Sequence, residues 1–193
     1  MPRSTKGPQT PKPAEPSTGL RAALMKREQS EIVDLLMDLA QSDRDLMRDL
    51  RARFDVAPPS DTLIDETRQA IADATAFDPR LINRNFPINY AAYGEVKRNL
   101  GLLIEAGQLQ TAMQLALELM KQGSYQVEMS DEGLMSDDVA GCLVEVIHAV
   151  KASDLTREES LAWCLAMLKA DRVRFIAKAP LEALRTHLES SGA

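Results

Sequence analysis

Apolar residues recur along the chain in short blocks at helical spacing, and prolines and glycines fall between the blocks. Ser30 is placed to cap a run containing Ile32, Val33, Leu35, Leu36, Met37 and Leu39. That run is apolar on most of its sides, so the pattern predicts a central, buried helix. Ser42 is placed to cap a second helix presenting Leu46, Met47, Leu50 and Phe54, and Pro58-Pro59 ends this pair. Ser60 or Asp61 opens a third, with Leu63, Ile64, Ile71 and Ala74, stopping before Asp78-Pro79.

Residues 79–89 read as a loop. A helix over Tyr90 to Ala106 follows, with Tyr93, Val96, Leu100, Leu103 and Ile104 on one face. Gly107 breaks it, and Leu109, Ala112, Met113, Ala116 and Met120 line the next, which Gly123 is expected to end. The connection 123–136 is polar and acidic, except that residues 125–129 alternate as a lone strand would. Ser136 caps a helix with Val139, Cys142, Leu143, Val146 and Val150 on its core side. Thr156 and Glu159 have capping-box spacing ahead of Leu161, Cys164, Leu165 and Leu168, and a last helix runs from Pro180 to Glu189. The sum is an all-α protein of about eight helices in antiparallel hairpins, helical-repeat-like or an irregular bundle.

Within it, residues 99–120 resemble a tetratricopeptide-type hairpin. Asn99, Leu100 and Gly101 match the start of that repeat's first helix, Gly107 its turn, and Ala112 the small residue where the two helices touch. The chain carries this hairpin once, with a Gly101–Gly107 spacing one residue shorter than the usual repeat. A generic pair of packed helices is the alternative. Glu31 to Ala40, then Asp43 to Leu50, is similar to a helical pair of bacterial SWIM-zinc-finger-associated proteins, and residues 129–133 with the 137–150 helix to another piece of them. The resemblance implies a helical accessory module. It implies no metal site, because that finger needs three Cys and one His in close spacing and this chain has two Cys, Cys142 and Cys164.

Composition fits helices. One Trp, three Tyr and four Phe leave the core to aliphatic side chains, Ala and Met, which favours helices over a sandwich of strands. Half of the ten prolines lie in the first sixteen residues among Ser, Thr, Lys and Gly. Residues 1–18 therefore read as a disordered basic tail, and residues 19–193 as a single all-α domain. Net charge is −6; residues 1–27 hold six bases against Glu15, which leaves −11 on the remainder. An acidic body repels phosphates and argues against a general nucleic-acid-binding surface. No run approaches the roughly 18 apolar residues of a membrane span, and the N-terminus lacks a secretory core, so the expected location is the cytoplasm. The two cysteines are then reduced, small and buried.

The search for chemistry finds little. Cys142, Cys164, His148 and His187 are the only soft ligands, and Cys142 and His148 sit about 240° apart around one helix. Neither a nucleophile elbow nor a glycine-rich phosphate cradle occurs. Glu128, Asp131, Glu132, Asp137 and Asp138 lack calcium-loop spacing and read as a solvated loop, with Asp137 and Asp138 favourable at a helix N-terminus. No cofactor, metal or catalytic group is expected.

One cluster remains. Phe86, Tyr90 and Tyr93 place three of the eight aromatic residues within eight positions, among Arg80, Arg84, Lys97 and Arg98, opposed by Glu95. Tyr90, Tyr93 and Lys97 have the spacing to share a helix face. Phe86 and Tyr93 could instead fill a gap under the loop with the charges solvated. As a surface, the cluster suits a protein interface first and stacking on nucleotides second. The expectation is a non-enzymatic scaffold or adaptor binding a protein partner. The alternative is a nucleic-acid-associated accessory protein using the basic tail and the 80–98 patch.

Overall fold

Helix boundaries in this chain are set largely by short-range chemistry that can be traced residue by residue. A computed structural model describes residues 16–54, 56, 59, 61–82, 84, 87–130 and 135–190. Residues 1–15 of the expected tail, Pro58, Ser60, Phe86 and residues 131–133 of the acidic loop lie outside the described residues. The chain is all-α: among the described residues there are nine α-helices, one 3₁₀ turn and no strand. The chain forms two compact units, one ending at Leu46 and the other running from Met47.

The first unit holds α1 (Pro16–Leu24), which takes in the last three residues assigned to the tail, and α2 (Gln29–Ser42). Helix α2 starts one residue ahead of Ser30, because Glu28 and Glu31 make a reciprocal capping box there. The expectation that α2 is buried is wrong. Ala40 is its one buried residue, while Val33, Leu35, Leu36, Met37 and Leu39 are 39–49% exposed. Periodicity measures how wide an apolar arc is; it does not say what covers the arc. Helix α3 (Arg44–Arg53) begins where the Asp43 carboxylate accepts hydrogen bonds from the Asp45 and Leu46 amides, so Asp43, not Ser42, is the cap.

The second unit continues with α4 (Leu63–Thr75), a 3₁₀ turn (Pro79–Leu81), α5 (Tyr90–Glu105), α6 (Leu109–Met129), α7 (Ser136–Ala152), α8 (Arg157–Ala170) and α9 (Lys178–Ser190). Helix α6 packs against α4, α5, α7 and α8; α5 lies against α4 and α7; and α9 pairs with α8 and touches α7. Their inner faces supply Ile71, Leu100, Leu103, Leu115, Leu119, Met120, Leu143, Met167, Leu181 and Leu184, all essentially inaccessible to water. Each such side chain contributes about 1.5–3 kcal/mol of burial.

Two glycines play opposite parts. Gly107 stands at φ +73°, and the Gly107 and Gln108 amides donate to the carbonyls of Ile104 and Leu103. This is a Schellman stop, which reverses the chain between α5 and α6 as expected. Gly123 stops nothing. Helix α6, 21 residues long, runs on through it to Met129 and absorbs the expected lone strand 125–129. A Cβ at Gly123 would come within 2.8 Å of Val139 Cγ2, so the missing side chain is what lets α7 approach α6. Ala112 and Ala116 are fully buried on the same helix.

Gly123→Ala should therefore lower stability by about 1–2 kcal/mol, overpacking outweighing alanine's better helix propensity. Adding Val139→Ala should recover part of that loss. Urea denaturation of the two single variants and the double variant measures the coupling, and strict additivity would show that the close approach carries no energy.

Candidate interaction surface

The residues expected to form one basic, aromatic patch are distributed over two environments. Tyr90 opens α5 and is 64% exposed; Lys97, two turns further on, is exposed as well. Arg80 and Arg84 are exposed in and after the 3₁₀ turn, and Phe86 is outside the described residues. Tyr93, three residues from Tyr90 and four from Lys97 on the same helix, is 3% exposed and so is no part of the open surface they make. All three guanidinium nitrogens of Arg98 are enclosed, without a hydrogen-bond partner among the described residues. Arg80 is neutralised locally: its Nη2 lies 2.6 Å from Asp78 Oδ2, and this contact holds the Asp78 carboxyl below the usual carboxylate range.

Tyr93 is buried because its hydroxyl is used. It donates to Gln126 Oε1 at 2.7 Å, and Gln126 Nε2 donates onward to the Ala74 carbonyl at 3.0 Å and the Ala76 carbonyl at 3.4 Å. Gln126 is fully buried. A side chain of α6 thus satisfies carbonyls left open at the C-terminus of α4 and is itself satisfied by α5. Burial pushes the Tyr93 phenol above its ordinary range.

Glu95, expected as the single acid opposing the patch, is also internal. It pairs with Arg48 of α3, whose Nη2 also reaches Asp73 Oδ2 of α4 at 2.6 Å, and Arg48 and Glu95 are each 5% exposed. Arg51 adds a pair to Glu66 and lies 3.9 Å from Glu95. These charges hold helices together; they are not open to a ligand.

A groove of about 410 Å³ lies between the end of α4, the 3₁₀ turn and α6. Ala72 and Ala76 supply apolar wall, Phe77 and Pro79 one end, and Ile82 and Tyr125 a lip that is 40% and 42% exposed. The Phe77 and Tyr125 rings lie 5.8 Å apart, and the Arg172 guanidinium sits 5.0 Å over the Tyr125 ring while pairing with Glu128. Thr75 donates to Gln122 at 3.0 Å on the groove's polar side. This site has no local signature in the sequence. Phe77 lies in the connection after α4 and Tyr125 on α6, 48 positions apart, and by alternation Tyr125 reads as part of a strand. Had the helical period been carried past Gly123, Gln122 and Tyr125 would have fallen on one face.

The cysteines are inert in this setting. Cys142 donates to the Tyr93 carbonyl and Cys164 to the Leu181 carbonyl, and burial pushes the Cys142 thiol up to about 12 and raises that of Cys164. Thiolate is the reactive form, so neither group is poised as a nucleophile. Among the described residues no group of three or more His, Cys, Asp and Glu is arranged to hold a metal, and no helix is long and apolar enough to cross a membrane.

The fold and its surface define a class, an all-α protein with a buried polar relay beneath an open aromatic groove. The comparisons go no further: no protein-family model, no curated protein and no solved structure matches the chain.

Gln126→Ala should cost about 2–4 kcal/mol, because it strands the Tyr93 hydroxyl and the Ala74 and Ala76 carbonyls together. Tyr93→Phe, which removes only the donor, should cost about 0.5–1.5 kcal/mol. Denaturant unfolding ranks the two, and equal costs would contradict the relay.

Proposed function

We propose that this protein is a non-enzymatic helical scaffold or adaptor that binds a protein partner at the groove formed by α4, the 3₁₀ turn and α6. The observation that carries this reading is the open aromatic lip: Tyr125, stacked beneath Arg172 and beside Phe77, next to exposed Ile82. Aromatic and arginine side chains in a partly desolvated hollow are the usual energetic centres of protein interfaces. The charges around the groove are largely paired within the chain, Arg80 with Asp78 and Arg172 with Glu128, so the groove suits an apolar segment. Tyr90 and Lys97 extend the exposed surface along α5. The resemblance of 99–120 to a tetratricopeptide hairpin, and of other segments to SWIM-associated modules, supports the same class. A cytoplasmic location is part of the proposal.

A photo-crosslinking side chain at Ile82 should capture a defined protein, whereas one at exposed Glu182 of α9 should not. Ile82→Asp should abolish that capture from a crosslinker placed at Tyr90, with the thermal midpoint unchanged. Equal capture from Ile82 and Glu182 would sink the proposal.

Nucleic-acid association is a second reading, supported by Arg84, Tyr90 and Lys97, which stay exposed. It requires binding that weakens with salt and is lost on Arg84→Glu plus Lys97→Glu. The absence of a mobility shift at about 50 mM salt removes it.

A further inference from the structure

Half of the large hydrophobic side chains left exposed among the described residues lie between positions 20 and 39: Leu20, Met25, Val33, Leu35, Leu36, Met37 and Leu39. In α2 every apolar residue from Ile32 to Ala40 falls within an arc of about 200°, twice the ~100° stripe of an ordinary surface helix. A 14-residue helix is marginal in water by itself, and an arc this wide needs cover on two sides. The polar side of α2 carries Glu31, Asp34 and Asp38 and no base. Helices that lie on lipid carry Lys or Arg there instead, which counts against a membrane as the cover.

The charges point to a cover of a particular kind. From residue 16 to residue 27 the sequence holds Arg21, Lys26 and Arg27 and no acid; from Glu28 to Asp43 it holds acids and no base. Arg27 pairs with Glu31, but Arg21, Lys26, Asp34 and Asp38 make no ion pair among the described residues. Asp34 and Asp38 each lie about 60° beyond an edge of the apolar arc, Asp34 past Met37 and Asp38 past Leu35, within reach of a neighbour seated on it.

We propose that this face is covered by a second copy of the chain, the α1–α2 segments of two molecules packing antiparallel about a twofold axis. The antiparallel sense lays the basic end of each copy against the acidic side of the other, while a parallel pairing would set acid beside acid. One patch then serves both subunits, as a twofold interface requires. This interface is separate from the groove on the second unit, and either can fail without the other.

Sedimentation velocity on the full chain, across roughly a hundredfold concentration range spanning micromolar values, should show a monomer–dimer equilibrium. Leu36→Asp with Leu39→Asp should give a monomer. Fluorescence of Trp163, buried under α6 with its Nε1 donating to the Met113 carbonyl, reports whether the second unit stays folded in that variant. Arg21→Glu with Lys26→Glu, and separately Asp34→Lys with Asp38→Lys, should each weaken self-association about tenfold or more. Mixing those two charge variants should restore a 1:1 heterodimer. A wild-type chain that is monomeric throughout overturns the proposal, whatever else it binds. So does a dimer that survives the leucine substitutions, or a mixture of charge variants that does not recover.

Discussion

The second unit depends on Gln126. This side chain lies where α4 ends, α5 passes and α6 continues, and its two polar atoms serve all three helices at once. Helix ends leave carbonyls without intrahelical partners, and a buried end is tolerable only if something supplies the missing donors. Gln126 supplies them to Ala74 and Ala76 from inside the core. The chain after α4 can therefore turn into Phe77 and the 3₁₀ turn without an orphaned backbone, and the groove wall stands on that turn. The groove's shape thus follows from a hydrogen-bonding requirement beneath it.

The Arg48 cluster does related work with charges. Enclosing Arg48 and Glu95 removes two ions from water, and their attraction offsets that cost only when geometry and further hydrogen bonds are good. The Asp73 carboxylate, second partner to the same guanidinium, provides such a bond. As a buried pair it is weak grounds for high net stability, yet loss of either partner would leave a charge stranded in the interior. What the cluster does is tie Arg48 of α3 to Asp73 of α4 and Glu95 of α5 at one point.

What was legible in the sequence was local. Thr156 and Glu159 form their capping box as read, with Thr156 Oγ1 accepting from the Glu159 amide, because both partners lie within one turn. Gly107 and the buried Ala112 and Ala116 were readable for the same reason: the φ of a stop and the period of a core face are short-range properties. What failed was long-range. A glycine inside a helix is a stop or a contact according to what faces it, and Val139 faces Gly123 from another helix. Tyr93 was grouped with Tyr90 and Lys97 by spacing, but its position is decided by a glutamine 33 residues away. Glu95 reads as the acid opposing the patch, but the arginine it pairs with lies 47 residues away. The candidate site was therefore found only in its neighbourhood.

The same distinction explains why the two units present such different surfaces. In the second unit most apolar periodic positions find a cover within the chain, and the groove is one local deficit, left where Tyr125 and Ile82 close over Phe77 incompletely. In the first unit, among the described residues, the deficit is the rule and burial the exception, with Ala40 the one enclosed. A sequence that repeats apolar residues this densely on one helix, and segregates its bases from its acids along the same stretch, has the composition of a core but not the neighbours. Such a segment is incomplete by its own patterning. The force that would complete it is the one that already holds the second unit together, burial of aliphatic area, acting between molecules instead of within one.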